Sequence, residues 1–242
     1  MVIRKVSKRG MEHKNNCEDS SLFETHCDLI MLAVFDGCSS GIDSHFASSI
    51  FVKMVRKHFN NLKYIYTAKT DIEDFAKQLL KNVYNDIFGI NSVLELPEIE
   101  LLSTINIFFG NTQTKKGISI ISGDGSLYVN GLKIIDIDPP NNAPDYIAYY
   151  AYKGIDFSNV YAGFFKTYVD DFNDVSVCSD GINTYKNTSG INATEFAEEY
   201  LLRDKYLAKN KMMLNRKCNI LIKVHLMNHS DDLSIVRYIE EI

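Results

Sequence analysis

The sequence predicts an α+β fold built from layered antiparallel sheets. Many short apolar runs are rich in β-branched and aromatic residues and bounded by Gly, Asn or Asp. One Asn-Gly pair between two such runs is a strong hairpin signal. Helical stripes are grouped rather than alternating with strands, which argues against βαβ architecture.

Strand-like runs fall at 28–36, 101–109, 117–122, 125–129, 132–138, 146–151, 160–168, 174–179 and 234–239. The Asn130-Gly131 pair separates the fourth run from the fifth. Between the first and second runs lie two helical stripes. Ile42, Phe46, Ile50 and Met54, with Ala47, Phe51 and Val55 beside them, form one. Ile72, Phe75, Leu79, Val83 and Ile87 carry the other, and Thr70-Asp71-Ile72-Glu73 ahead of it reads as a capping box. A third helix is expected at 193–202, opened by Asn192 with Glu195 three residues on. The stretch 205–226 fits two readings. Lys211, Arg216, Lys217 and Lys223 suit a solvated helix face, whereas Ile220, Ile222 and Val224 alternate like a strand.

Three of the four prolines fall in Pro139-Pro140-Asn141-Asn142-Ala143-Pro144, a loop signal with strand-like runs on both sides. The whole chain, 1–242, is therefore read as a single domain. A net charge of −5 argues against a general nucleic-acid surface. The five cysteines have neither disulfide-framework nor zinc-finger spacing, and Cys178 and Cys218 read as core thiols. The basic first ten residues lack the apolar stretch of a signal peptide, and no run reaches the ~18 apolar residues of a membrane span. A cytoplasmic protein without a membrane partner is the expectation.

Four stretches pair strand-like surroundings with a carboxylate: Cys17-Glu18-Asp19, Phe35-Asp36-Gly37, Ser179-Asp180-Gly181 and Ser230-Asp231-Asp232. Crowded carboxylates oppose one another's ionisation, so a fold that gathers them needs a cation, and a hard divalent metal with oxygen ligands answers that need. Each pair alone is more often a solvated loop. Asp36 and Asp180 resist that account, because apolar strands deliver them to a sheet edge just before a glycine.

These motifs resemble those of the protein phosphatase type 2C family, in the same order and over nearly the whole chain. Gly10 through Glu18-Asp19 is similar to the opening Gly…Arg-x-x-Met-Glu-Asp motif. Asp36-Gly37 resembles the second metal motif, and Leu102-Ser103-Thr104 the Ser-Thr strand start. Ser122-Gly123-Asp124-Gly125-Ser126 is similar to the Gly-Asp turn. Ser179-Asp180-Gly181 matches the Ser-Asp-Gly motif, and Asp231-Asp232-Leu233-Ser234 looks like the terminal Asp-Asn-x-Thr/Ser motif.

The resemblance implies a compact, bacterial-type member with a four-layer αββα sandwich, two mostly antiparallel central sheets flanked by helices. It implies a phosphohydrolase acting on phosphoserine and phosphothreonine proteins through a water activated by two Mn²⁺ or Mg²⁺ ions. Asp36 would bridge the metals, Asp180 and Asp231 would complete the first, and the Gly37 carbonyl would reach the second. Glu18 and Asp19 would act through bound waters, and Asp124 would serve a third ion. The family's phosphate-clamping arginine is replaced by Lys14, with His13 beside it and Arg9 or Arg4 as substitutes. Cys38 follows Asp36-Gly37 where many relatives have His, and Thr184 stands at another acidic position. Those departures motivate an alternative, a catalytically weak or silent fold serving as a regulatory binding module.

Overall fold

The computed structural model describes residues 1–67, 69–139 and 144–240. Two five-stranded sheets face each other. The first is ordered β1 (Val2–Lys8), β12 (Leu233–Ile239), β9 (Asp174–Cys178), β6 (Gly125–Val129) and β7 (Leu132–Ile137). The second is ordered β2 (Asp19–His26), β3 (Leu29–Asp36), β4 (Ile105–Asn111), β5 (Lys116–Ser122) and β8 (Phe165–Val169). Every pairing in both is antiparallel, as is that of β10 (Tyr185–Asn187) with β11 (Met227–His229) in a separate two-stranded ribbon.

Side-chain alternation along β3 explains the layering. Ile30, Leu32 and Val34 meet Phe108, Val177 and Val236 in the core between the sheets. Met31, Ala33 and Phe35 point the other way, onto α1 (His45–Leu62) and α2 (Ile72–Leu94). Both faces of β3 are thus buried, which is why it reads as an unbroken apolar run. The outer face of the first sheet is covered by α5 (Thr194–Glu198), a π-helical turn (Glu199–Arg203) and α6 (Met213–Lys223). The order is helix, sheet, sheet, helix, as expected.

Several local expectations change. The tyrosine-rich run at 146–151 is not a strand but α3 (Ile147–Tyr152): Ile147, Ala148 and Ala151 share one buried face, and the element packs on α2. Aromatic β-propensity loses here to that helical stripe. The run at 160–168 divides into α4 (Phe157–Gly163), capped by Asp156 accepting from Ser158 N at 2.8 Å, and then β8. The run at 101–109 begins as a 3-10 turn at Glu98–Leu101 and becomes a strand only at Ile105. Within 205–226, the part Met213–Lys223 forms a helix, α6, with Lys217 and Cys218 buried, and 205–212 forms turns. For α2 the cap is Asp71, which accepts from Glu73 N and Asp74 N, rather than Thr70. The Asn130-Gly131 hairpin forms as read, both residues at positive φ (51° and 79°). Of the proline-rich loop, 140–143 lies outside the described residues. Among the described residues no helix is long and apolar enough to cross a membrane.

Candidate metal centre

Antiparallel register brings the acidic motifs to one end of the sandwich. Asp19 opens β2 opposite Asp36, which closes β3. Asp124 sits in the turn between β5 and β6, Asp180 follows β9, and Asp231-Asp232 precedes β12. Carboxylate oxygens of Asp36, Asp124 and Asp180 all lie within 4.8 Å of one another. Backbone bonds fix the first of these: Asp36 N donates to Thr104 Oγ1 at 3.0 Å, and Thr104 N to Asp36 O at 2.8 Å.

Crowding and burial shape the electrostatics. Burial, then Asp19, Asp180 and Asp124, push Asp36 well above the usual carboxylate range. Burial carries Asp19 up to about 8, although the Ser179 hydroxyl donates to it at 2.6 Å. Asp124 rises to about 7 through burial and then Asp19, and Asp180 to about 7 through burial, Asp124 and Asp231.

Besides Glu18 Oε2, which sits with His13 and Asp232, three buried carboxylate oxygens around Asp36 accept no hydrogen bond among the described residues: Asp19 Oδ1, Asp124 Oδ1 and Asp180 Oδ1. Buried acceptors are ordinarily satisfied, and their convergence leaves room for a cation's bonds instead. An all-oxygen donor set of this kind fits Mg²⁺ or Mn²⁺.

Two glycines allow the close approach. A Cβ on Gly37 would stand 2.1 Å from the Ser44 carbonyl oxygen, just before α1. A Cβ on Gly181 would stand 1.9 Å from the Asp232 carbonyl oxygen. Glu18 is held nearby, its Oε1 accepting from the Ser44 hydroxyl at 2.5 Å and its carbonyl from Gly37 N at 3.3 Å.

Asp231 stands apart from the trio. Its Oδ1 accepts from His13 Nε2 at 2.8 Å and from Asp232 N at 2.8 Å, although its charge still acts on Asp124 and Asp180. Asp232, matched in sequence to an asparagine, is buried and accepts from Gly10 N at 2.6 Å and from Glu18 N. It staples the amino-terminal loop to the start of β12.

His13 is engaged rather than free. Its Nδ1 is 3.3 Å from Glu18 Oε2 and 3.6 Å from Asp232 Oδ2. Burial opposes its protonation, but Asp232, then Glu18 and Asp231, outweigh that and raise its pKa. Lys14 is exposed and lines, with Asn15, Asn16 and Ser39, a cleft of about 430 Å³ beside Glu18. Neither alternative arginine lines this cleft. Arg9 donates to the Lys14 and Asn15 carbonyls, and Arg4 to those of Ile3 and Ala208. Thr184 is a tether, donating to the Gly181 carbonyl at 2.8 Å and accepting from Asp231 N at 3.3 Å. Sequence reasoning missed Asn106, whose Nδ2 donates to the Ser126 and Cys178 carbonyls and ties β6 to β9 below Asp124 and Asp180. An amide set between two isoleucines near the start of β4 was the available signal.

The sequence profile of the family Protein phosphatase 2C matches residues 9–213, and the chain belongs to that family. Among solved structures, a mutant form of a bacterial serine phosphatase is similar at 15% identity, with TM-score 0.65, over 98% of this chain and 97% of that one. The Mycobacterium tuberculosis serine/threonine phosphatase PstP/Ppp is similar at 16% identity, with TM-score 0.57, over 100% of both chains. The catalytic domain of PstP in complex with two manganese ions is similar at 15% identity, with TM-score 0.58, over 98% of this chain and 96% of that one. No curated protein sequence gives a significant match.

Proposed function

We propose that this chain is a metal-dependent phosphohydrolase that removes phosphate from phosphoserine and phosphothreonine residues of proteins, acting in the cytoplasm. The observation that carries this reading is the set of unsatisfied carboxylate oxygens of Asp19, Asp124 and Asp180 gathered around Asp36. The manganese complex of a family relative with the same fold supports it.

Asp36, Asp124 and Asp180 would hold one part of a divalent pair, with Asp231 reaching in from beside His13. Glu18, Asp19 and the Gly37 backbone would serve the other part, directly or through water. Bound Mn²⁺ or Mg²⁺ supplies the charge that ionises a water at neutral pH and neutralises phosphoryl oxygens. Before loading, the same carboxylates repel a phosphate ester, so metal is expected to bind before substrate. Lys14 faces the adjoining cleft and would neutralise the phosphate as a point charge, without the bidentate fork of an arginine. His13, locked among Glu18, Asp231 and Asp232, would hold those ligands in place rather than clamp phosphate.

The test is release of phosphate from phosphoserine and phosphothreonine peptides with Mn²⁺ or Mg²⁺ against a chelator control. Turnover should require metal and vanish in Asp36→Asn. In Lys14→Ala, KM should rise about tenfold with kcat much less affected. Metal binding without turnover would instead support the regulatory module, and the absence of both would sink the proposal.

A further inference from the structure

The edge strands β1 and β2 of the two sheets lie side by side, and α1 packs over β2. Between them opens a cleft of about 360 Å³. Three cations line it: Lys5 from β1, with Lys53 and Arg56 from neighbouring turns on one face of α1. Among the described residues no carboxylate lies within ion-pair distance of Lys5 or Lys53, and only Arg56 is paired, its Nε with Glu24 at 2.9 Å. That bond leaves the terminal nitrogens of the guanidinium for another partner. The ammonium of Lys5 settles for the Ser21 carbonyl at 2.7 Å. Partial desolvation and then the charge of Arg56 hold its pKa below the ordinary value, with Glu24 opposing.

The rest of the lining is rich in hydroxyls. Ser7 and Ser21 meet at 3.0 Å, Ser20 meets Ser48 at 3.1 Å, and Ser49 completes the wall. Each hydroxyl can rotate to donate. Asp19 also borders the cleft, but its carboxylate is turned to the Ser179 hydroxyl and the metal centre. In a chain of net charge −5, this is a local excess of positive charge ringed by donors. We infer that the cleft binds a phosphate group at a site separate from the metal centre, held by Lys5, Lys53 and Arg56 with the serine hydroxyls donating. Three cations and several donors match the many acceptor oxygens of a phosphate dianion better than the two of a carboxylate. Free phosphate and a phosphorylated side chain offer the same chemistry to such a site.

The experiment titrates inorganic phosphate into metal-free protein, followed by calorimetry and amide NMR shifts. Without metals the carboxylate centre repels phosphate, so saturable binding reports the cleft. Binding in the millimolar range is expected, weakened about fivefold or more in Lys53→Met and in Lys5→Met, with shifts mapping to β1, β2 and α1. Lys53 is exposed and makes no ion pair among the described residues, so its variant should fold and keep the turnover of the wild type on a small phosphomonoester. Failure of this inference and failure of the hydrolase reading are therefore distinguishable. Displacement of phosphate by a phosphoserine peptide at lower concentration than free phosphate needs would assign the site to a phosphorylated chain. Equal or weaker displacement would assign it to the free ion. No saturable binding, or the same affinity in both variants as in the wild type, would overturn the inference.

Discussion

Replacing Asp36 by Asn should make the metal-free protein more stable and the metal-treated protein less so. The oxygens of Asp36, Asp124 and Asp180 lie within 4.8 Å of one another. At an effective dielectric of about 20, two full charges at that distance repel by about 3.5 kcal/mol. Asp36 has two such neighbours, and proton uptake by the cluster relieves part of the sum. An asparagine keeps the side-chain shape and leaves the backbone bonds to Thr104 intact, so removal of the charge should stabilise the apo fold by ~2–4 kcal/mol. In a chain of this size that raises Tm by several degrees. With Mn²⁺ at about a thousand times its Kd, the wild type gains about 4.1 kcal/mol and the Asp36→Asn variant little, which outweighs the variant's apo advantage. Thermal unfolding in EDTA and in Mn²⁺ should therefore rank the two proteins in opposite orders. Should Asp36→Asn melt below the wild type in EDTA, or should Mn²⁺ shift both equally, the carboxylates are not straining against one another and the metal argument fails.

The buried Lys217 donates to the Tyr200 and Asp204 carbonyls at 2.6 Å each, and burial holds its pKa down to about 8 against 10.5 unfolded. Between those values the unfolded chain binds the proton that the folded one has shed, so stability should rise with pH there. Relative to Lys217→Met, the wild type should gain on the order of 3 kcal/mol from about pH 7 to about pH 10.5 by urea unfolding; a flat difference would refute the burial argument. In Gly181→Ala, the Cβ meets the Asp232 carbonyl, so a loss of about 3 kcal/mol and weaker Mn²⁺ binding by calorimetry are expected. Wild-type values for both would mean the two motif loops do not need their close contact.

The layers were legible because their signals are periodic. The apolar run of β3, the stripe of α2 and the Asn130-Gly131 turn each specify their own element. What escaped notice lacks such a local mark. β1 reads as a basic segment, since Arg4 and Lys5 interrupt it and only Val6 is fully buried. β2 is half polar, Ser21 meeting Ser7 of β1 on one face and Ser20 meeting Ser48 of α1 on the other. The helix α3 is spelled in aromatic residues that favour strands. At the centre, Asp36 and Asp180 announced themselves by strand-end glycines, and Asp124 by its turn. The grip of His13 on Asp231, and of Asp232 on the amino-terminal loop, depends on partners more than 200 positions away, and no local pattern encodes that.

The strand β12 is inserted between β1 and β9, and the residue just ahead of it, Asp232, pins the loop around Gly10. A ribosome must release β12 before β1 can find its neighbour. The amino-terminal flank of the acidic end is thus secured last, and a nascent chain, or one stopped short of β12, would lack the hold of Asp231 and Asp232 on His13, Gly10 and Glu18 however well its middle had folded.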